Sequence, residues 1–144
     1  MSWAELVAAA EAIRLAAIDR DPRLRAAPLA GIGWATVDHE RAQAELDGLL
    51  AGDPSAPSLA PWRSVGRDPA LGAASWLRAP DGAVTSPSLV LLEPDAEGRI
   101  AAFLARFGEG VGAIYLWEGA PRPGEVLRGG PMWGPHVVML DKPR

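Results

Sequence analysis

Apolar residues recur at helical spacing from the start of the chain: Trp3, Leu6, Ala10, Ile13 and Ala17 fall on one face. Ser2 and Glu5 at the head of that stripe form a capping-box signature, a reciprocal pairing of side chains with otherwise orphaned amides. The spacing predicts a helix that ends between Asp19 and Pro22, because proline lacks an amide donor and restrains its predecessor away from helical geometry. Its apolar face is expected to pack on the rest of the domain or on a partner subunit. The period then changes. Residues 32–37 follow Gly31 as a strand, Asp38 is placed to cap a helix, and Ala42, Leu46, Leu49 and Leu50 mark that helix's buried face.

Turn-forming residues fill 51–70, which predicts a long loop with a short strand around 62–65; its length makes it a candidate lid. Residues 73–77 and 85–92 flank Ala79-Pro80-Asp81-Gly82, with proline and glycine where a tight turn wants them, so a β-hairpin is predicted. Asp95 is placed to cap a helix over 96–107 that carries Ile100, Phe103, Leu104 and Phe107 on one face. Strands follow at 111–117 and 136–140. The order is helix, then strand-helix-strand-strand-strand, then helix-strand-strand. It predicts an α+β fold with a mixed, mostly antiparallel sheet and helices on its outer face.

Composition narrows the function classes. A length of 144 residues with 49% hydrophobic and 22% charged positions supplies one core without covalent staples. The absence of cysteine removes disulfides, thiolate zinc sites and a thiol nucleophile, and fits a reducing cytoplasm. A net charge of −4, without a Lys/Arg cluster interleaved with aromatics, argues against a nucleic-acid partner. Glu5 and Glu11 stand where a signal peptide carries basic residues, and no uncharged apolar run is long enough to span a bilayer. A cytoplasmic protein without a membrane partner is expected. Prolines cluster at 54, 57 and 61 and again at 121, 123, 131 and 135, and these stretches read as ordered loops because Trp62 and Trp133 lie within or beside them.

Gly31-Ile32-Gly33-Trp34-Ala35-Thr36-Val37-Asp38, running into His39-Glu40-Arg41-Ala42, is one segment with a wider echo. Leu89-Val90-Leu91-Leu92-Glu93-Pro94, followed by Phe103-Leu104 and then Gly108-Glu109-Gly110-Val111-Gly112-Ala113-Ile114, is the other. Both resemble the glyoxalase, or vicinal-oxygen-chelate, superfamily, and especially its methylmalonyl-CoA-epimerase-like branch. The resemblance spans 31–117. It implies one glyoxalase-like domain over 1–144: an extra N-terminal helix at 1–22, a βαβββ unit at 31–95, and a linking helix with an abbreviated second unit at 96–144.

The resemblance also implies a cleft in which the family holds a divalent metal that polarises a carbonyl and stabilises an enolate. Its four ligand positions fall on Gly31, Val90, Ala113 and Met139. The first three side chains offer no lone pair and a thioether is too soft for the hard ions of this chemistry, so no metal and no other cofactor are expected. Alternation counted from those positions puts Gly33, Ala35, Ser88, Val90, Leu92, Ala113, Tyr115, Trp117, Val137, Met139 and Asp141 on the cleft side. The candidate ligand-binding residues are Ser88, Val90, Ala113, Tyr115, Trp117, Met139 and Asp141, an apolar lining with Ser88, Tyr115 and Asp141 as polar tips.

Other chemistry is thinly represented. His39 reads as a solvated cap, and His136 as a strand-edge residue whose alternation relative to Met139 points it out of the cleft. No G-x-S-x-G elbow supports a Ser-His-Asp site. Gly108 to Gly112 follows a helix and precedes a strand, the reverse of a dinucleotide-binding loop. Glu93, Asp95 and Glu97 fit a turn and helix N-terminus. Six tryptophans suit both a core and a cleft for flat or acyl ligands.

Three functional readings follow. The first is a metal-free protein that binds a small apolar or aromatic molecule. The second is a metal-independent isomerase or lyase that uses Tyr115 or Asp141 for acid–base work. The third is an interaction module whose N-terminal helix and Trp-rich loops meet a partner, a reading that a filled cleft would favour. A homodimer is expected, since an abbreviated second unit leaves strand edges and apolar faces for a two-fold partner to cover.

Overall fold

The computed structural model describes residues 1–81, 86–117, 125–127 and 130–140. Its strands are β1 (Leu29–Ala35), β2 (Arg63–Asp68), β3 (Ala73–Arg78), β4 (Ser88–Pro94), β5 (Gly110–Trp117), β6 (Glu125–Val126) and β7 (His136–Leu140). Its helices are α1 (Trp3–Arg20), α2 (His39–Ala51) and α3 (Arg99–Phe107), with a 3-10 helix at Pro22–Ala26. Among the described residues no helix is long and apolar enough to cross a membrane.

The strands form one curled sheet in the order β2-β3-β4-β1-β5-β7-β6. Pairing is antiparallel for β1–β5, β2–β3, β3–β4 and β6–β7 and parallel for β1–β4 and β5–β7, the mixed α+β arrangement expected. Two half-sheets meet where β1 lies beside β5, with Gly33 opposite Ala113. In each half the opening strand pairs in parallel with the last strand of its unit.

Local signals account for the outer layer. Ser2 and Glu5 complete the capping box of α1, which stops at Arg20, and Asp21 then caps the 3-10 helix. Asp38 caps α2 through the Arg41 amide. α2 covers the first half of the sheet, its Ala42, Leu46 and Leu50 sharing a core with Leu89 and Leu91 of β4. Among the described residues no helix lies between β5 and β7 to do the same for the second half. α1 takes that place: Leu6, Ala10, Ala17 and Ile18 share the same core with Ile114 and Leu116 of β5 and Val137 and Met139 of β7.

α1 and α2 lie on the outer face, whereas α3 crosses the opposite, concave face. Its Ile100 and Phe103 are buried with Ala35, Val90, Leu92 and Ala113. The central strands are apolar on both sides, so both faces must be covered.

α3 also starts later than position 96. Its N-cap is Gly98, and Asp95 is not a cap but the partner of Arg67, with its amide bonded to the Gly72 carbonyl. Gly72 (φ 66°) and Gly98 (φ 131°) cross so closely that a Cβ on Gly98 would lie 3.1 Å from the Gly72 Cα. That crossing lets the Ile100 amide donate to the Leu71 carbonyl at 3.1 Å.

The hairpin of β3 and β4 forms, with Ala73 opposite Pro94; Gly82 of its expected turn lies outside the described residues. β2 is longer than the strand expected at 62–65 and is exposed along almost its whole length. It therefore carries no apolar alternation to announce it. The two-residue β6 is too short to carry an alternation of its own.

Candidate functional site

Register decides which side chains share the concave face. Gly31 stands opposite Ser88 on β4 and Tyr115 on β5, and Gly33 opposite Val90 and Ala113. Residues in register project to one side of a sheet, and alternate residues along a strand do likewise. The structure thus brings Ser88, Val90, Ala113, Tyr115 and Trp117 together.

Met139 does not join them. Ala113 of β5 lies opposite His136 of β7, and Tyr115 opposite Val138, so His136, Val138 and Leu140 face the concave side while Val137 and Met139 face α1. Counting one residue out of step moves a whole strand to the other face. The same step corrects His136, which belongs to the concave side and not outside it. Asp141 lies outside the described residues.

The concave face has two unlike ends. Around Ala35, Leu92 and Gly112 it is filled by α3, where a Cβ on Gly112 would lie 3.1 Å from Cδ1 of Phe103. At the other end Leu77, Ser88, Tyr115, Trp117 and Leu140 are half-buried. There the Tyr115 ring lies over Gly31, and a Cβ at 31 would meet its Cδ2 at 3.2 Å. Burial, with a smaller contribution from the Asp68 carboxylate, pushes the Tyr115 phenol above its ordinary value. At neutral pH it is a hydrogen-bond donor and not a base.

The residues at the implied metal positions do not fit a hard divalent cation. Gly31, Val90 and Ala113 carry no donor atom, and Val138, which faces the concave side where Met139 does not, carries none either. The Tyr115 ring also occupies the space into which a longer residue at 31 would project. Among the described residues no three of His, Cys, Asp or Glu stand together.

No protein-family model matches this chain, and no curated protein matches it. Among solved structures, the crystal structure of methylmalonyl-CoA epimerase from Mycobacterium tuberculosis is similar, with a TM-score of 0.56 and 16% identity over 81% of this chain and 88% of that chain. The likeness is one of fold. It agrees with the architecture implied by the segments at 31–117.

Two polar clusters tie the sheet to the start of α2. His39 is not a solvated cap: it stacks on Trp76 with centroids 3.8 Å apart, and its backbone N and Nδ1 lie 2.8 and 2.9 Å from one Glu93 oxygen. Glu109, in the glycine-rich segment, accepts from the Thr36 hydroxyl and the Arg41 guanidinium. Desolvation works to raise the Glu109 carboxyl, but those hydrogen bonds outweigh it and hold it below its ordinary value. Sequence gave little warning of either cluster, since the partners stand 54 to 73 residues apart.

His136 is 4% exposed, and its Nε2 has no hydrogen-bond partner among the described residues. Desolvation lowers its pKa below the ordinary 6.5, and the nearby Arg99 charge adds to this while the Arg99 backbone opposes it. The unfolded chain therefore takes up a proton at this residue first as pH falls. Stability should be flat above about pH 6.5 and decline below it, with a slope approaching about 1.4 kcal/mol per pH unit from this group. The depressed carboxylates, such as Glu109, begin to cost stability only nearer pH 4.5. Urea denaturation at pH 7.0 and 5.5 checks this: the drop should vanish in His136→Gln, and an equal drop in both proteins would assign it elsewhere.

Proposed function

We propose that this chain is a metal-independent binding protein on a glyoxalase-type fold, which holds a small apolar or aromatic molecule against the open end of the concave face. The observation that carries the reading is the Tyr115 ring lying over Gly31. An aromatic surface stands where the family resemblance implies a metal ligand, and half-exposed Leu77, Trp117 and Leu140 flank it. The ligand is small because α3 occupies the other end. Its polar group is oriented by the Tyr115 phenol as donor and by the Ser88 hydroxyl as donor or acceptor. Burying roughly 150 Å² of apolar ligand surface supplies about 4 kcal/mol before the cost of immobilisation, so affinity no tighter than about millimolar is expected from burial alone.

A metal-independent isomerase or lyase is the second reading. It rests on the Tyr115 phenol, held in its acid form by burial and, to a smaller extent, by the charge of the Asp68 carboxylate.

Titration with the neutral dye N-phenyl-1-naphthylamine, followed by fluorescence, tests the binding reading. Trp117→Ala should weaken binding at least about tenfold, the equivalent of 1.4 kcal/mol, and Tyr115→Phe by a few-fold for a ligand that accepts the phenol's hydrogen bond. Chelator should change neither. Unaltered affinity in Trp117→Ala would place the ligand on another face, and loss of binding on chelation would restore a metal.

A further inference from the structure

A cavity of about 580 Å³ opens at the start of β7, where β5 runs on to Gly110 beyond its last β7 partner. Its polar wall is assembled from distant parts of the chain: Arg20 from the end of α1, Asp21 and Arg23 from the 3-10 segment, Arg99 from the start of α3, and His136 from β7. Arg23 is committed to Asp21, with Nε and an Nη each 2.9 Å from a carboxylate oxygen. Arg20 and Arg99 have no carboxylate partner among the described residues. The cavity thus carries surplus positive charge.

His136 is the independent sign of a ligand. The ring is buried, it lines the cavity, and its Nε2 is unpartnered among the described residues. Gly134, with φ 80°, holds its backbone so near that a Cβ there would sit 2.9 Å from Nε2. Leaving a buried polar nitrogen unsatisfied costs about 1–3 kcal/mol, and such a group persists where something else supplies its partner. A second feature agrees in sign. α3 has Gly98 as its N-cap, with no capping side chain and no acidic residue in its first turn, and the Arg99 that opens it lines the cavity.

We propose that this cavity binds a small organic anion, its oxyanion head (carboxylate or phosphate) set between Arg20, Arg99 and His136 and its apolar body lying along Leu24, Met132 and Val137. The head supplies a partner for Nε2, which in the Nε2–H tautomer donates to it, and two guanidiniums balance its charge through charge-assisted hydrogen bonds. The site is separate from the Tyr115 end of the concave face, and the proposal does not rest on that reading.

The chain has two histidines, His39 and His136, so imidazole correlation spectra of the full chain carry two reporters, assigned with His39→Gln. Titrations with hexanoate, hexyl phosphate and neutral hexanamide should show saturable movement of the His136 signal for at least one anion, with His39 unmoved. Hexanamide should bind at least about tenfold more weakly, as loss of a charge-assisted pair implies. Arg99→Gln should weaken the anion at least fivefold. Arg20 is exposed, so Arg20→Gln leaves the core untouched and should weaken it in the same direction. Tighter binding of hexyl phosphate than of hexanoate identifies a phosphate head, and the reverse a carboxylate. Equal binding of hexanamide, failure of both anions to move His136, or unchanged affinity in both arginine variants would overturn the proposal.

Discussion

Leu6→Asp is expected to abolish cooperative folding of the whole protein and not merely to loosen one helix. Leu6 has no exposed surface, and it shares a core with Ile114, Leu116, Val137 and Met139. Removing a buried leucine side chain costs about 2–5 kcal/mol in lost transfer energy and cavity. An aspartate in its place adds several kcal/mol more, because no cation among its core neighbours can pair with it. The sum is comparable with the whole stability of an ordinary domain, about 5–15 kcal/mol. Leu6→Ala, which bears only the first term, should remain folded with a lower urea midpoint. Far-ultraviolet dichroism and tryptophan fluorescence followed through urea decide the matter. A cooperative transition in Leu6→Asp within about 2 kcal/mol of the parent, on the scale of those same costs, would mean that α1 is an appendage and not part of the core.

The second large effect is expected at a glycine. Gly98 has φ 131° and ψ −173°, a region in which a Cβ is strained wherever it points, and that Cβ would meet Gly72 Cα at 3.1 Å and Leu71 O at 3.4 Å. Backbone strain of about 1–3 kcal/mol and overpacking of similar size put Gly98→Ala at roughly 2–6 kcal/mol. The loss should be local in origin: the Ile100 amide, which donates to Leu71 O, should lose hydrogen-exchange protection before the amides of β1 and β4 do. Gly110→Ala is the control, since nothing lies within 4 Å of the position where its Cβ would be and its φ is ordinary. Equal stability of the two variants would remove the Gly72–Gly98 crossing as the anchor of α3.

These outcomes bear on what was legible in the residues. α1 and α2 could be read because each buries one stripe and carries its own cap, Ser2 with Glu5 or Asp38. β4 was found for its run of leucines and valine, and its facing followed from the motif around Gly31 and Val90. β7 had no such anchor. Val137, Val138 and Met139 are all buried, so the strand shows no alternation of its own, and its facing depends on a register with β5 that only the folded sheet sets. The start of α3 is hidden in the sequence because Asp95 is a good cap by type, while the true cap, Gly98, is chosen by the close passage of Gly72. The site divides in the same way. Tyr115 and Ser88 were visible as alternating tips on motif strands, but the filling by α3 and the Arg20–Arg99–His136 cavity arise from segments brought together only by tertiary structure.

α1 lies against β7, an element near the opposite end of the described chain. Forming that contact closes a loop of about 120 residues, whose entropy must be overcome before packing returns anything. Proteins dominated by such distant contacts fold slowly for their size. The timing during synthesis follows as well. Trp3 and Leu6 leave the ribosome as the apolar stripe of an amphipathic helix, and the strand that completes their cover is made more than a hundred residues later, at about 5–20 residues per second. For several seconds the nascent chain therefore presents an unsatisfied helical face, the kind of surface that chaperones hold, and the second half of the sheet is sealed only once β7 has been translated.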